Sequence, residues 1–252
     1  KTKEIDLSCF EGVDLIVHLA GASISQRWSA KNKKEILDSR VEGTQLLVSG
    51  LARCKEIHQV KQVVAASAIG IYPSSFTTCY TEDYKPQANS FLEEVVMAWE
   101  KEEDEFSSLG VGLCKLRIGL VLTKTGGVLG PLKIPTQFGL GAAFGNGKQT
   151  QAWIHIDDLV QMILTAGEEK WQGVYNAVSP NPVSQKEFTK TLAKAMRRPY
   201  FMPPLPKFLI RLVAGEMSVL VFNSQNVSAE KTVKQGFVYA YPKLFEAIKS
   251  LL

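Results

Sequence analysis

The sequence predicts an α/β fold, with a doubly wound parallel sheet and a small, mostly helical lobe at the carboxyl end. Two segments, residues 14–22 and 60–72, are small and largely apolar, which indicates strands buried on both faces. Amphipathic helical patterns follow them at residues 29–54 and 90–109. Strands that alternate with helices are typical of a parallel sheet with crossover connections.

Composition narrows the class of protein and its partners. The chain has 252 residues, 45% hydrophobic and 21% charged, with a formal net charge of +4, which is ordinary for a globular protein. The lysines at 31–34 are followed by Glu35 and Asp38, which indicates a solvated helix face rather than a nucleic-acid patch. The four cysteines form no CxxC pair, so we expect no metal site, reduced thiols and a cytoplasmic location. Charges interrupt the apolar segment 205–222, so no membrane span is predicted.

The first strand and its helix contain three candidate residues. Residues 14–22 include Gly21, which permits close approach of a ligand or another backbone. We interpret His18 as a core histidine rather than a base. The helix at 29–54 carries Arg40 beside its apolar stripe, and we expect Arg40 to form a salt bridge with a neighbouring element. The stripe consists of Leu37, Val41, Thr44, Val48 and Leu51.

The second strand ends at a hydroxyl group. Ser67 is followed by small residues, and ligands in open α/β sheets bind outside the carboxyl ends of the strands. Ser67 is therefore a candidate for chemistry, and a hydrogen bond to nearby backbone is the alternative that stays open. The polar and aromatic loop at 73–89 is long for a connection, which favours a functional loop.

Charged residues mark the next helix and strand. Ser90 and Glu93 form a capping box that starts a helix, on which Glu100 is interpreted as a solvated position. The third predicted strand, residues 114–122, contains Arg117. A buried charge needs a partner, so a structural salt bridge is slightly favoured over a ligand contact, and both stay open.

The second half of the chain contains a glycine-rich segment and an acidic helix start. The glycine spacing in 126–147 does not match a dinucleotide fingerprint, so we interpret this segment as a flexible cover over a site. Asp157 and Asp158 are expected N-caps of a helix at 159–166. A further strand is predicted at 173–178, and Ser184 starts another helix.

A proline-rich break at 199–206 precedes apolar helices at 206–214 and 242–252. We therefore expect a main domain at residues 1–200 and a small lobe at 201–252.

Several segments occur in the order and spacing of the extended short-chain dehydrogenase/reductases. These are HLAG at 18–21, AASAIGIY at 65–72, LRIGLVL at 116–122 and WIHIDDL at 153–159. Arg27-Trp28, Ser39-Arg40, Ala98-Trp99-Glu100, the glycines from Gly139 to Gly147, and Gly215-Glu216-Met217-Ser218 resemble an atypical branch. That branch is the "epimerase family", also described as division-inhibitor-like nucleoside-diphosphate-sugar epimerases. The resemblance covers nearly the whole chain and implies an NAD(P)-binding Rossmann domain with a substrate-side lobe.

The resemblance also implies ligands and site residues. It implies NADP or NAD as cofactor, with NADP favoured, and a small or nucleotide-linked substrate. Neither nucleic acid nor a membrane is expected as a partner. A homodimer stays open. His155 and Asp158 match a segment near the substrate, where a structural role is the alternative. The implied cofactor contacts are Leu19, Ala20, Gly21, Ser67, Ala68, Arg117, Ile118 and Gly119.

The sequence departs from the family pattern in two ways. In the family, the glycine-rich fingerprint of the first βα turn lies upstream of what corresponds to Lys1. Either the natural protein begins earlier, or this chain lacks the usual pyrophosphate site. The Tyr-x-x-x-Lys pair, in which lysine lowers the tyrosine pKa, is missing from the helix that starts at Phe91. Ala68 takes the place of the usual catalytic serine.

Ser67 and Tyr72 are the candidate catalytic residues that remain, and Tyr80 is a further tyrosine nearby. Two functions stay open. One is an NAD(P)-dependent oxidoreductase or epimerase. The other is a catalytically weak NADP(H)-binding protein with a regulatory or structural role.

Overall fold

The computed structural model describes residues 4–54 and 58–252 and confirms the α/β class. Its strands are β1 (Leu15–His18), β2 (Gln62–Ala68), β3 (Cys79–Tyr80), β4 (Gly112–Ile118), β5 (Leu120–Leu122), β6 (Thr150–Gln151), β7 (Trp153–His155), β8 (Gly173–Ala177), β9 (Val183–Ser184) and β10 (Asn226–Val227). The main sheet has the order β1-β2-β4-β8. β1 pairs parallel to β2, with Val17 opposite Val64.

The helices alternate with these strands, as the sequence predicts. They are α1 (Ala30–Arg53), α2 (Phe91–Ser108), α3 (Leu129–Gln137), α4 (Ile156–Glu168), α5 (Gln185–Ala195), α6 (Lys207–Ala214), α7 (Val219–Phe222), α8 (Glu230–Lys234) and α9 (Leu244–Ser250). None of the helices in the described part of the chain is long and apolar enough to cross a membrane.

The chain divides into two compact units. The first unit comprises Lys1–Ile71, Lys85–Arg117 and Met162–Tyr175, and the second comprises Tyr72–Tyr84, Ile118–Gln161 and Asn176–Leu252.

In the first unit, β2 is buried on both faces. Each of its residues except Ala68 is buried, which confirms the interpretation of this segment as an inner strand. An apolar core surrounds it and consists of Phe10, Leu51, Cys54, Val60, Val63, Ala65, Phe106, Val111 and Leu113.

The two long helices of the first unit begin at side-chain caps. The Ser29 hydroxyl accepts a hydrogen bond from the Asn32 backbone N–H at 3.2 Å. At α2, the Ser90 hydroxyl accepts from the Glu93 N–H at 3.3 Å. The Glu93 carboxylate accepts from the Asn89 N–H at 3.1 Å. The predicted capping box is therefore confirmed, with its reciprocal bond displaced by one residue.

The second unit has its own apolar core, formed by Leu122, Leu129, Trp153, Phe188, Leu192, Leu244, Ala247, Ile248 and Leu251. The sequence and the structure differ at two places in this unit. The glycine-rich segment contains the packed helix α3, in which Leu129 and Thr136 are buried, and a cover over a site stays a prediction for it. Helix α4 begins at Ile156, so Asp157 and Asp158 lie inside its first turn rather than at the N-cap.

Candidate functional site

The carboxyl end of β1 presents an open backbone segment. Leu19, Ala20 and Gly21 follow the strand directly and are exposed, with Leu19 at 56% of its full accessibility. The next residue, Ala22, is held by α1, because its N–H donates to the Ser39 hydroxyl at 2.9 Å. Three predicted cofactor contacts thus lie together at a strand end that a ligand can reach.

Arg40 of α1 lies against this strand end. Its Nη1 donates to the carbonyl oxygens of Ala22 at 3.2 Å and Ile36 at 2.9 Å. A Cβ atom placed on Gly21 would lie only 3.1 Å from the Arg40 guanidinium carbon, so the glycine permits this approach. The expected salt bridge of Arg40 is wrong: among the described residues, no carboxylate pairs with it.

Beneath Arg40 is the indole ring of Trp99, whose centroid is 5.0 Å from the guanidinium carbon. This distance is within the range of a cation–π contact, which favours the position of the guanidinium group over the ring. His18, at the end of β1, is 3% exposed, and its Nε2 lies 3.0 Å from the Thr44 hydroxyl. Burial lowers the pKa of His18. These contacts support the interpretation of His18 as a core histidine.

Ser67 belongs to a buried polar cluster at the end of β2. It is 2% exposed, and its hydroxyl donates to Glu100 Oε1 at 2.5 Å. Arg117 completes the cluster, with Nε 2.8 Å from Oε1 and Nη2 2.9 Å from Oε2 of Glu100. The structure therefore brings two of the predicted site residues, Ser67 and Arg117, together on one carboxylate.

The protonation state of Glu100 follows from its partners. Burial raises the pKa of Glu100, but the hydrogen bond and charge of Arg117, with smaller effects of Ser67 and Lys115, outweigh it and lower the pKa below its ordinary value. Glu100 is therefore ionised at neutral pH and fixes the Ser67 hydroxyl as a hydrogen-bond donor. The interpretation of Glu100 as a solvated position is wrong, since it is 7% exposed.

The same face of α2 carries a second buried acid. Glu103 is fully buried, and neither carboxyl oxygen has a hydrogen-bond partner among the described residues. Burial, together with the charge of Glu100, raises the pKa of Glu103 well above its ordinary value. Lys115 instead contacts Asp104, 2.8 Å from its carboxylate.

Tyr72, the second catalytic candidate, is buried in the second unit. Its hydroxyl donates to Asn176 Oδ1 at 2.8 Å, and its ring stacks on Tyr80 at 5.2 Å between centroids. The Asn176 side chain also donates to the Ser228 carbonyl at 3.0 Å, and its backbone N–H donates to Glu82 at 2.8 Å. The sequence alone does not reveal Asn176, because these partners are distant along the chain.

Gly119 separates β4 from β5, so the predicted strand at 114–122 is interrupted. The Gly119 N–H donates to the Ala177 carbonyl at 3.1 Å, and the Leu120 N–H donates to the Ala152 carbonyl at 2.8 Å. A Cβ atom at Gly119 would lie 2.6 Å from the Ala152 oxygen. Ile118 and Gly119, both half-buried, stay predicted cofactor contacts.

His155 is packed inside the second unit. Its ring stacks on Tyr241 at 3.9 Å between centroids, and Nε2 lies 3.1 Å from the Ser250 hydroxyl. The Asp157 N–H donates to Nδ1, so the neutral ring carries its proton on Nε2. Burial lowers the pKa of His155, although the charges of Asp157 and Asp158 oppose this change.

Asp158 holds a distant backbone segment. Its carboxylate accepts from the N–H groups of Ala240 at 2.7 Å and Tyr241 at 3.1 Å. These contacts support the structural alternative for His155 and Asp158, and contact with substrate stays a prediction. Within the described residues, no group of three or more His, Cys, Asp or Glu side chains could hold a metal ion.

Comparison with known proteins places the chain in a family. The model of the NAD dependent epimerase/dehydratase family matches residues 5–92, and that of DUF1731, a domain of unknown function, matches residues 205–251. An epimerase family protein of Staphylococcus epidermidis is 35% identical over 241 residues, which cover 95% of this chain and 80% of the relative. The chain belongs to the epimerase family. The family member YfhF of Bacillus subtilis is 36% identical over 242 residues, covering 95% of this chain and 78% of YfhF.

Two solved structures confirm the Rossmann-like epimerase fold. The crystal structure of the human epimerase family protein SDR39U1 with NADPH has a TM-score of 0.87 and 31% identity, and covers 95% of this chain and 82% of that protein. A nucleoside-diphosphate sugar epimerase from Corynebacterium glutamicum has a TM-score of 0.77 and 27% identity, covering 96% of this chain and 47% of that one. The predicted family resemblance is thereby confirmed.

Three residues of this epimerase family chain make contacts that the sequence does not reveal. Trp99 and Glu100 stand out in the sequence only as part of the Ala98-Trp99-Glu100 motif, and Asn176 does not stand out at all. Arg117 was the available signal for Glu100, since an arginine in a buried strand requires an anionic partner. No comparable signal was available for Asn176, whose side chain bonds are made to residues on separate segments.

Proposed function

We propose that the chain binds a nicotinamide dinucleotide, with NADP(H) preferred, at the carboxyl ends of its parallel strands. The observation that carries this proposal is the exposed segment Leu19, Ala20 and Gly21 at the end of β1. Strand ends of this kind are the usual ligand position in open α/β sheets. The human relative, crystallised with NADPH, supports the choice of cofactor.

The remaining proposed cofactor contacts come from two further strand ends. They are Ser67 and Ala68 at β2, and Arg117, Ile118 and Gly119 at β4. Ala68 is half-buried, whereas Ser67 is buried and bonded to Glu100. Of these two residues, Ala68 is therefore the more accessible to a cofactor.

We propose that the reaction, where one occurs, is an oxidoreductase or epimerase step on a small or nucleotide-linked substrate. A bound nicotinamide supplies a hydride acceptor or donor for such a step. Ser67 and Tyr72 are the candidate catalytic hydroxyls of this chain. His155 and Asp158 remain proposed residues of the substrate side.

The geometry of the hydroxyls supports a second candidate function, a catalytically weak NADP(H)-binding regulatory or structural protein. Ser67 donates to Glu100 and Tyr72 donates to Asn176, so each proton is already engaged within the protein. A general acid must have its proton in reach of the reacting group.

We also propose that residues 201–252 form the small lobe and residues 1–200 the main domain. The match of the DUF1731 model to residues 205–251 supports a boundary near residue 200.

Native mass spectrometry of the protein produced from its natural gene tests cofactor binding. We expect an adduct with the mass of NADPH, and a smaller bound fraction with NADH at equal concentration. A chain that stays without any dinucleotide adduct contradicts the proposal. Turnover assays with sugar nucleotides, aldehydes and ketones then separate the two candidate functions. Cofactor-dependent turnover contradicts the second candidate, a catalytically weak binding protein, whereas cofactor binding without turnover favours it.

A further inference from the structure

Arg40 is a half-buried cation for which the described part of the chain provides no counterion. Two hydrogen bonds of its Nη1 go to carbonyl oxygens, of Ala22 and Ile36. Among the described residues, neither Nε nor Nη2 has a hydrogen-bond partner, and no acidic side chain pairs with the group. An arginine stays protonated in proteins, so its positive charge is only partly compensated by carbonyl dipoles.

The position of this charge is fixed from two sides. The Trp99 ring supports the guanidinium group from one side, at 5.0 Å. Gly21 also lies against the group, since a Cβ atom at this position would be only 3.1 Å from the guanidinium carbon. Partial burial of a charged group without an anionic partner carries a desolvation penalty, and a bound anion would offset that penalty.

The charge also lies where a ligand can reach it. Leu19, Ala20 and Gly21 are exposed beside it, and Ser39 holds the following residue in place. Arg117 differs from Arg40, because it is 4% exposed and its N–H groups are bonded to Glu100. Arg40 instead offers Nε and Nη2 at the strand end.

We infer that Arg40 binds a phosphate group of a ligand at the carboxyl end of β1. The planar fork of N–H donors matches the oxygens of a phosphate group, which is why arginine is frequent at such sites. This inference rests on the proposed function, since it assigns a contact to the proposed ligand site. The phosphate belongs either to the dinucleotide or to a nucleotide-linked substrate, and the two sources are separated by the probes below.

The test measures dissociation constants of NADPH and of UDP by isothermal titration calorimetry, with the protein from its natural gene. The variants are Arg40→Gln, which removes the charge, and Arg40→Lys, which keeps it. Lys34→Gln is the matched control, because Lys34 is an exposed cation on the same helix that pairs with Asp38. Chemical unfolding of each variant establishes that it is folded.

We expect Arg40→Gln to weaken the binding of one probe by about 10-fold or more, since a hydrogen bond to a charged group is lost. Arg40→Lys should weaken it less, and Lys34→Gln should leave it unchanged. Added sodium chloride should weaken binding to the wild-type protein more steeply than binding to Arg40→Gln, because only the wild type retains this ionic contact. A purely structural role of Arg40 would not change that salt dependence.

Each outcome has a distinct meaning. A loss confined to NADPH identifies the dinucleotide phosphate, and a loss confined to UDP identifies a nucleotide-linked substrate. Unchanged affinities of folded Arg40→Gln overturn the inference and leave the proposed function standing. If Arg40→Gln does not fold, binding to the wild type decides: affinities for both probes that do not fall with added sodium chloride overturn the inference, because an ionic contact with a phosphate group must weaken with salt. If the wild type binds UDP but not NADPH, only the proposed cofactor is wrong, and if it binds neither probe, both proposals fail.

Discussion

The carboxyl group of Glu103 is buried in α2 without a hydrogen-bond partner among the described residues. Its pKa is raised by burial and by the charge of Glu100, so folding favours the protonated form. Its contribution to stability is present below the unfolded pKa of about 4.3 and is lost as the pH rises through the folded value. We expect Glu103→Met to raise the free energy of unfolding at neutral pH by about 1–3 kcal/mol.

Urea unfolding of Glu103→Met at several pH values between mild acid and mild alkali is the measurement. Glu105→Met is the control, because Glu105 is exposed on the same helix. The stability of the wild type should fall with rising pH more steeply than that of Glu103→Met. Parallel pH profiles would show that Glu103 is not the source of the dependence.

The pair of Glu100 and Arg117 has the opposite pH dependence. The pKa of Glu100 is raised by burial but lowered further by Arg117, so its stabilising contribution is present above about pH 4.3 and lost as the pH falls through the folded pKa. We expect Glu100→Gln to lower the free energy of unfolding by about 3–5 kcal/mol at neutral pH, because it leaves a buried arginine without its counterion.

A double-mutant cycle checks this coupling. We expect Glu100→Met and Arg117→Met each to lower the free energy of unfolding strongly. The double variant should lower it by less than the sum of the two single effects. The unfolding free energies from urea titrations give the coupling term. Additive losses would mean that the two side chains do not stabilise the fold as a pair.

At the scale of single residues, the sequence shows that a buried charge requires a counterion, but it does not show which residue supplies that counterion. Arg117 in a strand interior predicts that an anion lies nearby, and that prediction is confirmed by Glu100. It does not predict which acid, because Glu93, Glu94 and Glu100 lie on one helix and their burial depends on how that helix packs. For Arg40 the same reasoning predicts a salt bridge, which is not found among the residues that the structure describes.

At the scale of elements, the break between β4 and β5 depends on Gly119. A Cβ atom there would lie 2.6 Å from the Ala152 oxygen and 2.9 Å from a Val178 methyl carbon. Because one contact is backbone, it cannot be relieved by a rotamer change. We expect Gly119→Ala to lower the free energy of unfolding by about 1–3 kcal/mol.

Gly43→Ala is the matched control for this substitution, since a Cβ atom at Gly43 in α1 would meet open space. That change should be neutral or stabilising by up to about 1 kcal/mol, because alanine favours helix. Thermal unfolding of the two variants provides the comparison. Equal effects at Gly119 and Gly43 would contradict the argument from close packing.

Two buried histidines at strand ends should have pKa values below the ordinary value of histidine. His18 at the end of β1 and His155 at the end of β7 each have a pKa lowered by burial. Both should therefore titrate below about 6.5 in a nuclear magnetic resonance pH series. Their contribution to stability is present above this value and is lost as the pH falls through the folded pKa. A titration of either ring above 6.5 would contradict its burial as the dominant effect.

Elements differ in how well the sequence predicts them. The strand β2 is predictable because its run of small apolar residues has no polar face, and α2 because Ser90 and Glu93 mark its start. Helix α3 is not predictable from the sequence, because glycines surround it. Its Leu129 packs into a core formed by residues that are distant along the chain. The same holds for the break at Gly119, which is set by Ala152.

At the scale of the whole molecule, the fold class and family follow from the order of motifs along the chain. The motifs HLAG, AASAIGIY and WIHIDDL each lie at a strand end or a helix start of the Rossmann-like architecture. The clusters around Glu100 and Asn176 are not predictable in the same way. Each joins residues that only the completed fold brings together, such as Tyr72, Asn176 and Ser228.

Hydrogen–deuterium exchange with and without NADPH tests the proposed ligand position across the whole molecule. A ligand that binds the native state slows the opening of the segments it covers, and at about 100 times its dissociation constant it adds about 2.7 kcal/mol of stability. We expect slower exchange at residues 19–22 and 67–70. Helix α9, packed into the core of the second unit, is the internal control and should exchange as before, apart from any global slowing. Protection confined to α9, with 19–22 unchanged, would place the ligand elsewhere and contradict the assignment of Leu19, Ala20 and Gly21.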